Sequence, residues 1–92
     1  MRTYDESLFN FLETACLAEG GDGDVAFISD HYQDVSEKFD QWLVENNNTW
    51  WRKAVTDKYI TYCNDQECIL FTDKREHINP STITIVETCF NL

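Results

Sequence analysis

Apolar positions along the chain follow a helical period first and a strand period later. Leu8, Phe11, Leu12 and Ala15 fall at helical spacing. Ahead of them, Thr3-Tyr4-Asp5-Glu6 has capping-box form, with a hydroxyl at the N-cap and a carboxylate three residues on. This pattern predicts a helix from Asp5 to Glu19. Gly20-Gly21 stops it, because glycine enters the left-handed region without steric cost. Val25-Ala26-Phe27-Ile28 is an apolar run of strand length. Val35, Phe39, Trp42 and Leu43 recur at i, i+4, i+7 and i+8, which predicts a second one-sided helix from Asp34 to Glu45. Asn46-Asn47-Asn48 ends that helix. Asn48 is read as the cap of a short third helix, Thr49 to Thr56, with Trp51, Ala54 and Val55 on one side.

From Lys58 onward β-branched and aromatic residues dominate. Lys58–Cys63 and Cys68–Thr72 read as strands joined by a polar turn at Asn64-Asp65-Gln66. A charged loop runs from Asp73 to Ser81. Thr82–Phe90 then alternates, with Ile83, Ile85 and Cys89 opposite Thr82, Thr84 and Thr88. The order leads to an α+β fold, with two or three helices packed on one face of a small antiparallel β-sheet. The expected core joins Val35, Phe39 and Leu43 to Leu8, Leu12 and Ile85. The chain's 13 aromatics (three Trp, four Tyr, six Phe) supply much of that core. The length of 92 residues sets one domain over 1–92, with little room for a deep catalytic cleft.

Charge adds a polarity to this layout. Residues 1–46 hold eleven Asp and Glu against Arg2 and Lys38, a balance of −9, whereas residues 47–92 hold six against five bases, a balance of −1. An aromatic-rich chain is not a disordered acidic tail, so the charge sits on a folded surface. Such a face repels nucleic acid and attracts basic surfaces. The opening MRTYDESLF turns acidic at once, and no run approaches the ~18–20 apolar residues of a membrane span. The expectation is therefore a cytoplasmic protein without a membrane partner, in which Cys16, Cys63, Cys68 and Cys89 are reduced.

Candidate chemistry is sparse. In GGDGDVAFISDHYQD, a calcium loop begun at Asp22 finds Asp24 at its third position. It then meets Ala26 at the fifth, Phe27 at the sixth and Gln33 at the twelfth, where oxygen, glycine and glutamate are required. A phosphate cradle would need a lysine and would be repelled by Asp22 and Asp24. The stretch reads as a helix stop followed by an acidic turn. Cys63-x4-Cys68, with Cys16, Cys89, His31 and His77, lacks the tight knuckle spacing of a zinc site and reads as small buried thiols. Both histidines read as solvated. Nothing aligns a nucleophile with a base and an orienting group, so no enzyme, metal or cofactor is expected. Arg52-Lys53-Lys58 and Lys74-Arg75 are the basic clusters, near Trp50-Trp51. They are too few for independent nucleic-acid binding. Lys74 and Arg75 are candidates for touching a nucleic acid already held by a protein, such as a bound guide RNA.

The small size, the acidic helices Asp5–Glu19 and Asp34–Glu45, and the polar turns around Asp22 and Asp30 resemble the small phage-encoded anti-CRISPR proteins. The likeness leans toward inhibitors of a type I (I-F) CRISPR surveillance complex. Those inhibitors share no signature motif, so no residue role transfers. The resemblance implies a monomeric, stoichiometric binder that sits on a basic nucleic-acid-binding groove of Cas subunits in a host cytoplasm and blocks target DNA. Electrostatics reaches the same physics, since a row of carboxylates stands in for phosphates on a lysine-rich groove. The candidate partner contacts are Asp22, Asp24, Asp30, Asp34, Glu37 and Asp40. Two other readings stay open. One is an acidic immunity protein or antitoxin neutralising a basic nuclease. The other is an accessory phage protein whose charge only keeps it dispersed.

Overall fold

In a computed structural model, which describes residues 4–20 and 24–78, two α-helices pack on a five-stranded mixed sheet. The chain order is α1 (Glu6–Ala15), β1 (Leu17–Gly20), β2 (Asp24–Ile28), α2 (Tyr32–Glu45), β3 (Arg52–Val55), β4 (Tyr59–Cys63) and β5 (Cys68–Thr72), then a 3-10 turn at Arg75–His77. Across the sheet the strands run β1-β2-β5-β4-β3. The α+β class holds, but the sheet is not the antiparallel one expected. β2 and β5 run parallel, with Phe27 opposite Phe71, while the other three pairings are antiparallel. A parallel pair needs a long crossover, and α2 supplies it before the β3-β4-β5 meander brings the chain back beside β2.

The core forms between the helices and one sheet face. Phe27, Ile60, Tyr62, Ile69 and Phe71 from the strands meet Leu12, Val35 and Phe39 from the helices, with Tyr4, Cys16 and Trp51 closing the ends. Leu8, Leu43 and Trp42 pack half-buried against this cluster. Of the expected core, Leu12, Val35 and Phe39 are buried and Leu8 and Leu43 flank them, while Ile85 lies outside the described residues. Alternation along the strands turns Ala26, Thr61, Cys63, Cys68, Leu70 and Thr72 to the opposite face, and these too are buried. β5 is thus buried on both faces, which explains why Cys-Ile-Leu-Phe-Thr reads as a near-continuous apolar run.

Three expectations about the elements need correction. The first helix begins and ends inside its expected limits. Its N-cap is Asp5, whose carboxylate accepts from the Ser7 amide at 2.7 Å, rather than Thr3. It stops at Ala15, because Leu17–Gly20 gains cross-strand hydrogen bonds to β2. Gly20 therefore closes a strand, not a helix. Its φ of 129° lies in the region that favours glycine, and an added Cβ would collide with the Asp24 carbonyl. The third helix is absent. Arg52–Val55 is the strand β3, with alternating half-buried and exposed positions, paired to β4. Trp51 and Val55 favour strands as much as they satisfy a one-turn helical pattern, and pairing decides. The second helix is found where expected, extended back to Tyr32 with His31 at the N-cap. The alternating stretch Thr82–Phe90 lies outside the described residues.

One polar cluster ties α2 to the sheet. Tyr62 is fully buried, and its hydroxyl donates to Asp40 Oδ1 at 2.7 Å and lies 3.2 Å from the Ser36 carbonyl oxygen. Lys53 Nζ reaches Asp40 Oδ2 at 2.9 Å and stands 5.5 Å from the Tyr62 ring centroid. Burial, reinforced by the hydrogen bond and charge of Asp40 and only partly opposed by Ser36, drives the Tyr62 phenol well above the ordinary tyrosine range. The sign follows directly. The folded-state value is raised, so the contribution to stability is complete below the ordinary tyrosine value and is lost as pH rises above it. In an absorbance titration, Tyr62 is expected to ionise only with alkaline unfolding. Tyr62→Phe should cost about 1–2 kcal/mol in urea melts at neutral pH and remove that alkaline dependence. An unchanged urea midpoint would refute the coupling.

Candidate acidic binding face

The helical layer carries most of the protein's charge. α1 and its cap hold Asp5, Glu6 and Glu13 without a base, and α2 holds Asp34, Glu37, Asp40 and Glu45 against Lys38, a net −6 out of −10. α2 turns Val35, Ser36 and Phe39 inward, so Asp34, Glu37, Lys38, Gln41 and Glu45 fall on its exposed side. Asp30 is exposed in the turn that leads into the helix. Among the described residues, Asp30, Asp34 and Glu37 make no ion pair. Asp34 lies in the first turn of α2, where the helix dipole favours a negative charge. Asp30 in this turn and Asp34 and Glu37 on the outer side of α2 are therefore exposed carboxylates without an ion pair among the described residues, with Lys38 on the same side of the helix.

The remaining sequence candidates separate from these three. Asp24 is exposed but starts β2, at the opposite end of that strand from Asp30. Asp22 lies outside the described residues. Asp40 is not the exposed contact that was expected. It is half-buried and committed to Tyr62 and Lys53, because it sits one position beyond the buried Phe39 and leans toward β3. Of the two basic candidates, Arg75 is held by Glu19 at 2.6 Å, while Lys74 is exposed and makes no ion pair among the described residues. His31 is exposed as expected, but His77 is half-buried with Nδ1 3.0 Å from Thr72 Oγ1, which corrects its reading as solvated. Trp51 belongs to the core, leaving Trp50 as the exposed tryptophan of the pair.

Apolar contacts also line this face, and sequence reasoning did not single them out. A shallow groove of about 280 Å³ between the helices is formed by Asp5, Leu8 and Phe11 of α1 and its cap with Lys38, Trp42 and Glu45 of α2. Phe11 is 41% exposed there. Across the Gln41–Glu45 ridge, Asp40 and Val44 line a second depression, with Val44 77% exposed. Phe11 occupies the edge of the α1 apolar stripe, which is the feature of the pattern that marks it as exposed. Val44 falls outside the α2 stripe altogether.

Among the described residues, no three His, Cys, Asp or Glu side chains converge as a metal site would require. Burial pushes the Cys16 thiol above its ordinary value, against a hydrogen bond with Ser29, so it is not an activated nucleophile. Among the described residues, no helix is long and apolar enough to cross a membrane. The chain matches no protein-family model, no curated protein and no solved structure.

Proposed function

We propose that this protein is a stoichiometric inhibitory binder of the anti-CRISPR type, whose acidic face occupies a basic nucleic-acid-binding surface of a CRISPR-Cas effector complex and blocks target DNA. The observation that carries this reading is the set of exposed carboxylates Asp30, Asp34 and Glu37 without an ion pair among the described residues, with the part-exposed apolar residues Phe11, Trp42 and Val44 elsewhere on the helical layer. Carboxylates without internal partners are available to lysine and arginine side chains. Exposed apolar side chains on the same helical layer accept the aliphatic stems of such cations. Steering comes from the charge, and residence comes from the apolar contacts. Asp24 and Asp40 drop from the set of direct contacts, the first by position and the second by its internal bonds. Lys74, exposed and without an ion pair among the described residues, is the side chain proposed to meet a bound guide RNA. The reading involves no catalytic step, metal or cofactor.

Affinity purification from a bacterial lysate that contains a type I-F surveillance complex tests this function. Co-purification of Cas subunits at fixed stoichiometry is the expected result. Recovery of a basic nuclease instead would identify an immunity protein, and recovery of neither would contradict inhibition by binding.

A further inference from the structure

Cys63 and Cys68 stand directly opposite each other in the β4–β5 hairpin, both buried and not joined by a disulfide. The sequence spacing of four residues does not reveal what the register does. The Asn64 amide donates to the Glu67 carbonyl at 3.0 Å, one bond of a hydrogen-bonded position, while the Glu67 amide turns to the Asn64 side-chain oxygen at 2.9 Å. In an antiparallel ladder the next pair inward is then non-hydrogen-bonded, the close type, with Cα atoms ~4.5 Å apart. A disulfide accepts Cα separations from ~4.4 to ~6.8 Å. The two thiols also share a face, clustered together with Tyr59 packed against them. The hairpin ends in the exposed residues Asp65 and Gln66, so opening of the turn is the route by which a small reagent reaches the pair.

We infer that Cys63 and Cys68 form a modification site, a cross-strand dithiol that a small-molecule disulfide converts to an intrachain disulfide. The thiolate of one cysteine attacks the reagent's S–S bond and expels one thiolate, leaving a mixed disulfide on the protein. The second cysteine, deprotonated, then attacks the protein-bound sulfur and expels the other half of the reagent. The protein loses two electrons and two protons, and the reagent leaves as two thiols. Closure joins residues already held opposite each other, so the strands need not shift register. The sheet is thereby stapled within its antiparallel β3-β4-β5 part.

The test uses the intact protein with oxidised glutathione in excess, followed by acid quenching, alkylation of remaining thiols and tryptic mass spectrometry. Cleavage after Lys58 and Lys74 places both cysteines in one peptide, residues 59–74, whereas Cys16 and Cys89 fall in other peptides. The expected product is that peptide, unalkylated and lighter by two hydrogen atoms. In Cys68→Ala the expected product is a persistent glutathione adduct on Cys63. Full alkylation of both thiols in the wild-type peptide after prolonged incubation would overturn the inference. So would a bridge linking this peptide to Cys16 or Cys89.

Discussion

Replacing Phe39 with alanine is expected to destabilise the protein by about 3–5 kcal/mol, the range for deleting a buried aromatic ring. Phe39 is fully buried, and its ring centroid lies 4.6 Å from that of Tyr62, 5.1 Å from Trp51, 5.6 Å from Trp42, 5.7 Å from Tyr4 and 6.3 Å from Phe71. These rings come from the N-terminal segment, α2, the approach to β3, β4 and β5. Large rigid neighbours collapse poorly around a lost ring, so the cavity persists and the cost falls at the upper end. A domain of this size holds only about 5–15 kcal/mol in total. The urea midpoint should drop sharply with little change in slope. An unchanged midpoint would mean that the inward face of α2 is not the one described.

Reversing the three exposed carboxylates has the opposite signature, intact folding with lost binding. The triple change Asp30→Lys, Asp34→Lys and Glu37→Lys exchanges three exposed negative charges for positive ones. Each reversal removes attraction to a basic groove and adds repulsion. At about 1 kcal/mol per position the sum is about 3 kcal/mol, or roughly a 100-fold loss of affinity at low salt. Surface changes away from the core usually shift stability by less than ~0.5 kcal/mol each. Asp34 is the exception, since a lysine in the first turn of α2 opposes the helix dipole by about 0.3–1 kcal/mol. Circular dichroism should therefore be near wild type while binding fails. Reversal of Lys74 and Arg75 should do less to a protein surface, and it also breaks the Arg75–Glu19 pair. Wild-type affinity of the triple variant at low salt would refute these carboxylates as the contact surface.

The two patterns differ in how far local sequence specifies them. α2 is readable because its apolar stripe is regular and its buried face meets a sheet of matching character. The β4–β5 hairpin is readable because two β-branched, aromatic-rich runs flank a polar turn. β1 and β3 are not, because each is four residues long and its conformation is decided by pairing with a distant neighbour. The parallel β2–β5 contact joins Asp24–Ile28 to Cys68–Thr72, far apart in the chain, and no periodicity encodes it. The same limit governs the site. Acid at Asp30, Asp34 and Glu37 was visible as exposed charge, since helical phase alone places the last two outside the core. Asp40 has a similar phase. Only the approach of Tyr62 and Lys53 from other strands turns it into a structural residue.

The proposed function turns on whether this protein and DNA compete for one basic surface. Displacement of labelled target DNA from a purified type I-F surveillance complex, measured across salt concentrations, tests this most directly. A phosphate-like acidic face predicts stoichiometric displacement at low salt. It also predicts an association rate that falls steeply as the Debye length shrinks from ~10 Å at 0.1 M to ~3 Å at 1 M. Undiminished DNA binding at saturating protein, or displacement with no salt dependence, would contradict it.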